Sequence, residues 1–345
     1  GLSVWPDTNL KFGFLEKQMV AAAESTTGSA PNALLTGIAI LLTILRKQPL
    51  FVLNNLKHLQ HLLEPAIKNH ADNSRMVTAL SSLLQEGLGA LSTAAANHSA
   101  QLAAELGAFS RWLCETIGNG LMSPRDVQVH GDLHLLHAMC SHRAELLDHH
   151  APVLAKLLQR LSKDHVHARA EHASAAAGGE TPESVALQSL MLTITLMSSR
   201  VAELGDQRKV LCYNLLLLIE RSSDVELLLH ITKVVAPWLT APLAPAPTPP
   251  ILALKDRANF ILKMASFEQL PSAELHAAYL RVVHKLFADP ALARSELLTK
   301  IEPSFMLGLR TRDATLRTAF FDIFHRSISR SLAQRLKFIV ESQDW

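Results

Sequence analysis

The sequence predicts an all-α protein, an α-solenoid of HEAT-like antiparallel helix pairs. Three observations carry that prediction. The composition favours helix: Leu and Ala dominate, 48% of the 345 residues are hydrophobic, only 5% are aromatic, and Gly is sparse. Apolar residues recur at spacings of three and four almost throughout. The breaks between them leave helices of roughly 15–20 residues joined by short loops, the pattern of stacked helix pairs. The chain is too long for one ordinary core, and its 19% charged content leaves ample apolar surface to bury.

In residues 32–47, Leu34, Ile38, Leu41, Leu42 and Leu45 form one stripe, which Pro49 ends. Residues 50–70 repeat it with Leu53, Leu56, Leu59, Leu63 and Ile67. Asp72 reads as the N-cap of the next helix, with Met76, Leu80, Leu83 and Leu84 facing inward. Further helices are predicted near 98–117, 123–140, 143–162, 183–203, 206–221 and 223–239. Beyond these come helices near 251–266, 271–288, 302–311, 313–326 and 330–342. Ser272 and Asp313 read as helix starts. Asp72 with Arg75, Asp206 with Arg208 and Asp313 with Arg317 fit a loose pattern in which Asp caps a helix and Arg ladders to a neighbour.

Two stretches break the rhythm. Residues 163–181 are rich in His, Ala and Gly without an apolar stripe, and 241–250, APLAPAPTPP, are rich in Pro. The predicted organisation is therefore HEAT-like repeats over 1–162, a disordered insertion over 163–181, repeats over 182–240, a Pro-rich linker over 241–250, and repeats over 251–345. The chain opens on Gly1 and stops at Trp345 just after a helical pattern, so it reads as a fragment of a larger protein.

The formal charge is +2, with Lys and Arg scattered and no concentrated basic face, so no direct DNA or RNA role is predicted. Cys114, Cys140 and Cys212 are odd in number and lack CxxC spacing, and read as buried small residues of a reducing compartment. The longest apolar run, Leu34 to Leu45, falls short of the roughly 20 residues a membrane helix needs. Trp5, Trp112, Trp238 and Trp345 read as packing residues, and Glu64 and Glu86 as solvated carboxylates.

Two motifs invite a chemical reading. His130-Gly131-Asp132-Leu133-His134 resembles the catalytic loop of aminoglycoside-phosphotransferase-like kinases, whose Asp is a base. That loop needs Asn or Gln five residues later, where this chain has His137, and neither a Gly-rich phosphate loop nor a paired strand Lys accompanies it. About half of the histidines lie between His130 and His172, and His130, His134 and His137 share a helical face as metal ligands do. No HExxH and no Cys pair supports a metal, so a polar surface explains them equally well. With Walker and Gly-x-Ser-x-Gly motifs also absent, neither a catalytic residue, a cofactor nor a metal is assigned, and the chain reads as a non-enzyme.

The last quarter of the chain is specific. Asn259-Phe260-Ile261-Leu262-Lys263-Met264-Ala265-Ser266-Phe267-Glu268-Gln269-Leu270-Pro271 resembles a stretch of the TRRAP family, the giant transformation/transcription-domain-associated pseudokinases related to phosphatidylinositol-3-kinase. The likeness continues through Glu274-Leu275-His276, Tyr279-Leu280, Lys300-Ile301-Glu302-Pro303-Ser304-Phe305, Gly308-Leu309-Arg310 and Phe320-Phe321-Asp322-Ile323-Phe324, and ends at Ser342-Gln343-Asp344-Trp345. Asn214 to Trp238 is weakly similar, and residues 1–160 match in pattern only. The resemblance implies a place in the HEAT-repeat solenoid upstream of the family's FAT and pseudokinase regions. It also implies a scaffold in nuclear histone acetyltransferase co-activator complexes of SAGA and TIP60 type, docking other subunits and transcriptional activators; no membrane partner is expected, because the longest apolar run is too short to span one. Arg310, Arg312, Arg317, Arg326 and Arg330, the densest basic group, are the candidate protein-interaction surface. The competing readings are a transport adaptor or another solenoid scaffold, and the solenoid of an active kinase of the same superfamily.

Overall fold

The structure is a computed structural model that describes residues 8–24, 30–70, 72–171, 182–242, 251–293, 295–327, 333, 336–337 and 340–341. Among the described residues there are helices and turns and no strand. The chain divides into two compact units, Gly1–Leu211 and Cys212–Trp345.

The first unit contains α1 (Thr8–Glu24), α2 (Ala30–Lys47), α3 (Pro49–Leu53), α4 (Leu56–His70), α5 (Ser74–His98), α6 (Ala100–Gly120), α7 (Asp126–Cys140), α8 (Ala151–Glu171) and α9 (Pro182–Ser199). Sequential helices pack as pairs: α1 on α2, α5 on α6, α6 on α7 and α8 on α9. Across the pairs, α2, α5, α7 and α9 pack side by side in one layer. The other layer holds α1, α4 and α6, which meets the 3₁₀ turn Ala144–His150 that leads into α8. The predicted stripes lie between the layers. Leu34, Ile38, Leu41 and Leu45 of α2, Leu59, Leu63 and Ile67 of α4, and Met76, Leu80, Leu83 and Leu84 of α5 are all buried.

The division between units falls inside α10 (Gln207–Arg221). The second unit continues with α11 (Val225–Leu239), α12 (Leu254–Met264), α13 (Ala273–Ala288), α14 (Glu296–Lys300), α15 (Glu302–Leu309) and α16 (Ala314–Ser327). Here α11, α13 and α15 pack in succession, α12 meets α14, and α16 closes on α13 and α15. A Phe cluster marks that closure: the Phe305 ring lies 4.5 Å from Phe287 and 5.3 Å from Phe320.

The structure revises several local expectations. The helix predicted over 50–70 is two helices, because Asn55 turns its side-chain amide onto the Phe51 carbonyl (2.8 Å) and ends α3. Asn73, not Asp72, caps α5, its side chain accepting from the Met76 N–H at 3.2 Å. The predicted 143–162 helix starts as a 3₁₀ turn and becomes α only at Ala151, with Pro152 in the first turn, where its missing N–H costs nothing. Helix α8 then runs to Glu171, nine residues into the segment read as an insertion, carried by helix-favouring Ala, Lys and Arg; residues 172–181 lie outside the described residues. Helix α1, which falls in the predicted 1–162 repeats without a predicted span of its own, packs on α2 and α4 and buries Leu15 and Met19. Ser272 and Asp313 cap as predicted, accepting from the Leu275 and Leu316 N–H groups. Of the Pro-rich linker, 243–250 lie outside the described residues, as does most of 330–342.

Trp238 is buried and Trp112 packs 5.7 Å from Phe109, while Trp5 and Trp345 lie outside the described residues. Cys114 and Cys140 are buried free thiols. Desolvation pushes both up to about 12, so they act as small apolar residues; Cys212 is half-buried. No helix of the described residues is long and apolar enough to cross a membrane.

Candidate functional site

The HGDLH motif folds inside α7, where a continuous helix leaves no loop to present a base to a nucleotide. Asp132 is 1% exposed, and its Oδ2 has no hydrogen-bond partner. Burial pushes its carboxyl up to about 7. It seats against Gly120, where an added Cβ would overlap Oδ2, so the glycine makes room for it. The predicted histidine face forms only in part. His130 is half-buried and pairs through Nδ1 with the Ser189 hydroxyl (3.0 Å), while His134 and His137 are exposed. Ser189 spends its own proton on the Val185 carbonyl (2.8 Å), so His130 Nδ1 is the donor in that pair. Burial holds His130 down at about 4, reinforced by His134, whose ring lies 4.5 Å away. Among the described residues no group of three or more His, Cys, Asp or Glu is placed to hold a metal ion.

The predicted arginine surface is not one free patch. Arg310, at the end of α15, donates from Nη2 to both Glu268 carboxylate oxygens at 3.0 and 2.8 Å. Arg317 Nη1 donates to the Thr311 carbonyl (2.8 Å) and closes the turn that precedes α16. Arg326 Nε donates to the Asp322 carbonyl (3.1 Å) on its own helix. Arg330 lies outside the described residues. Arg312 alone of the four described is exposed with no hydrogen bond or ion pair among the described residues.

Two of these arginines border a cleft that sequence reasoning did not find. It has a volume of about 550 Å³ and lies in the second unit, between the Leu270–Ser272 entry to α13 and the Arg310–Asp313 turn. Its wall includes His276, whose Nε2 is buried without a partner. Desolvation lowers the His276 pKa, Glu268 opposing and Arg310 assisting. Tyr279 stacks on His276, with centroids 6.4 Å apart, and its phenol is pushed up to about 12 by burial. The only sequence signal was the density of matched residues here, since the two walls lie far apart in the chain.

An alternating two-layer packing of helix pairs, with no assembled catalytic constellation among the described residues, defines an α-solenoid of HEAT-like repeats. The family model described as the Tra1 HEAT repeat ring region matches residues 1–345, and the chain belongs to that family. Among its relatives is the human transformation/transcription domain-associated protein, 28% identical over 359 residues, covering 99% of this chain and 9% of that protein. The SAGA complex/NuA4 acetyltransferase complex subunit TRA1 of Saccharomyces cerevisiae is 25% identical over 354 residues, again 99% of this chain and 9% of the relative. The corresponding subunit of Schizosaccharomyces pombe is 28% identical over 240 residues, 69% of this chain. The chain thus spans about a tenth of the length of these relatives or less. The likeness legible by residue over the last quarter extends along the whole chain.

Proposed function

We propose that this chain is a non-catalytic scaffold segment of a nuclear histone acetyltransferase co-activator complex of SAGA or TIP60 type, supporting recruitment by transcriptional activators. The observation that carries the proposal is the family match over residues 1–345, joined to relatives whose names make them subunits of SAGA and NuA4 acetyltransferase complexes. The architecture suits the role. Each helix pair buries its apolar face against its neighbours and leaves its outer faces to partners. The one catalytic-looking motif lies locked in a helix with its Asp buried. The partners in this reading are other subunits of the complex and activators, reached without direct nucleic-acid or membrane contact. The sequence of the full-length transcript tests the non-catalytic reading. A chain of several thousand residues ending in a kinase-like domain that lacks the catalytic and metal-binding Asp supports it. A chain ending in an intact kinase loop contradicts it.

A further inference from the structure

Between α6 and α7 the chain runs Leu121-Met122-Ser123-Pro124-Arg125. Leu121 is buried and anchors the end of α6, while Met122 is 67% exposed and Pro124 and Arg125 are exposed. Pro124 disfavours the helical conformation at Ser123, and Arg125 is itself extended (φ −92°, ψ 110°). Ser123 to Arg125 is thus an extended tripeptide at the surface. The helix turn that follows is loosely held. Arg125 supplies no side-chain cap, Asp126 and Val127 are exposed, and Asp126 meets Arg160 of α8 in an exposed ion pair at 3.3 Å. The substrate groove of a protein kinase takes an extended peptide, and this turn fits one with little unfolding. Polar groups already converge on the Ser123 hydroxyl. Its Oγ accepts from the Arg125 N–H (3.3 Å) and donates to Gln128 Oε1 (3.0 Å), and Arg125 Nη2 donates to that same oxygen (2.8 Å). A phosphate on Oγ would lie within reach of this guanidinium, at the positive end of α7. The neighbouring anion, Asp126, is already offset by Arg160.

We propose that Ser123 is a phosphorylation site for a proline-directed protein kinase, and that its phosphate is held by Arg125 at the start of α7. Pro124 is the selecting residue. A kinase pocket without an acceptor for the residue after the serine leaves an ordinary backbone N–H unpaired, a penalty that Pro124 avoids. In the transfer, Ser123 Oγ attacks the γ-phosphorus of ATP. The Oγ–P bond forms as the bond from that phosphorus to the bridging oxygen of ADP breaks, and the hydroxyl proton passes to the kinase's catalytic carboxylate. The products are phosphoserine, ADP and a proton. The exchange places up to roughly two negative charges on an exposed turn whose nearest cation is Arg125. The sequence has two further Ser/Thr–Pro steps, Thr181-Pro182 and Thr248-Pro249, and Thr181 and Thr248 lie outside the described residues. The inference is independent of the docking role proposed above.

The test incubates the 345-residue chain with ATP and a purified proline-directed kinase and maps the phosphate by mass spectrometry. The full-length endogenous protein, purified with phosphatase inhibitors, is mapped beside it. Phosphate is expected on Ser123 in both. Pro124→Ala keeps the hydroxyl and slows incorporation at Ser123 at least about tenfold. Phosphate confined to Thr181 and Thr248, its absence from Ser123 in either sample, or an equal rate at Ser123 in Pro124→Ala overturns the assignment. A second measurement needs no kinase. Phosphoserine is encoded genetically in place of Ser123, and its second ionisation is followed by phosphorus NMR. In the folded chain the midpoint lies below the ordinary value of about 6, and in urea it returns to that value. Arg125→Ala, an exposed position whose folding is checked by circular dichroism, raises the folded midpoint. A midpoint that is the same folded and in urea, or unmoved by Arg125→Ala, overturns the seat assigned to the phosphate.

Discussion

Two buried charged residues carry the sharpest consequences at the scale of single side chains. Arg257 is 0% exposed, and its guanidinium donates to the carbonyls of Leu239 (3.1 Å), Ala241 (2.6 Å) and Leu252 (3.2 Å). It therefore caps the C-terminal end of α11 and ties the residues on either side of the Pro-rich stretch to one group. Arg257→Met leaves these carbonyls without their donor and costs about 2–4 kcal/mol, read as a lower denaturant midpoint at unchanged slope. Arg257→Lys fails to restore it, because a single ammonium lacks the planar fork that reaches three carbonyls. Asp132 is the opposite case, a carboxyl with nothing to support its charge. Its folded pKa of about 7 lies above the unfolded value of about 4, so the folded state holds the proton more tightly. The contribution of this one group to stability is therefore full below pH 4, is lost as pH rises towards 7, and levels off above. Asp132→Asn removes the dependence. It stabilises the chain by roughly 2–4 kcal/mol at pH 8 and by little at pH 4, in denaturation curves taken at both. Equal stabilisation by Asp132→Asn at the two pH values would contradict the buried-carboxyl account. The HGDLH string drew attention to Asp132 as a base, but a buried helix position is invisible to a motif.

At the scale of elements, the helix pair is the repeating unit, and the ion pairs record its period. Arg46 with Glu86, Arg160 with Asp126, Lys263 with Glu220 and Arg310 with Glu268 join residues 34 to 43 apart, close to the length of one HEAT-like repeat. Arg200 with Asp148 spans 52 residues, across the 172–181 stretch. Of the Asp–Arg pattern read from sequence, the capping half holds at Asp313, which caps its own helix, whereas Arg317 turns back to the Thr311 carbonyl and Asp206 pairs locally with Lys209. The ion pairs between helices are exposed and screened by solvent, so they add little and register rests on the apolar stripes. Those stripes were legible because Leu, Ile and Met at 3.6-residue spacing declare a buried face without reference to tertiary contacts. Helix ends were less legible. Neighbouring Asp72 and Asn73 both suit an N-cap, and only backbone geometry decides between them. Close packing between α15 and α16 depends on Gly308, where an added Cβ would lie 2.5 Å from ring atoms of the fully buried Phe320. Gly308→Ala therefore forces that ring out of place and destabilises by about 1–3 kcal/mol, measurable as a lower melting temperature. Combining it with Phe320→Leu recovers part of the loss, because the smaller side chain yields the space.

For the molecule as a whole, the sequence located the composition breaks but not the division between compact units. The Pro-rich stretch at 241–250 reads as the natural boundary, yet contacts divide the chain at 211 and 212, within α10. In a stack where each pair touches only its neighbours, a Pro-rich loop between two helices need not interrupt the packing around it. The candidate site was half legible for a similar reason. Arginine density pointed at residues 310–330, but only the fold shows which cations are used internally and that His276 and Arg312 share a cleft. The same scattering of charge argues against nucleic acid. A duplex DNA added to the isolated chain should show no binding that weakens steeply with salt, in a gel-shift series from low to physiological ionic strength.

The most direct test of the scaffold assignment is purification of the full-length endogenous protein from nuclear extract with an antibody to this segment. The eluate is then assayed for histone acetyltransferase activity and its subunits identified by mass spectrometry. The scaffold account predicts that acetyltransferase activity and the subunits of one such complex co-purify in stoichiometric amounts. A protein recovered alone, from the cytoplasmic fraction only, or with transport factors and no acetyltransferase would contradict it.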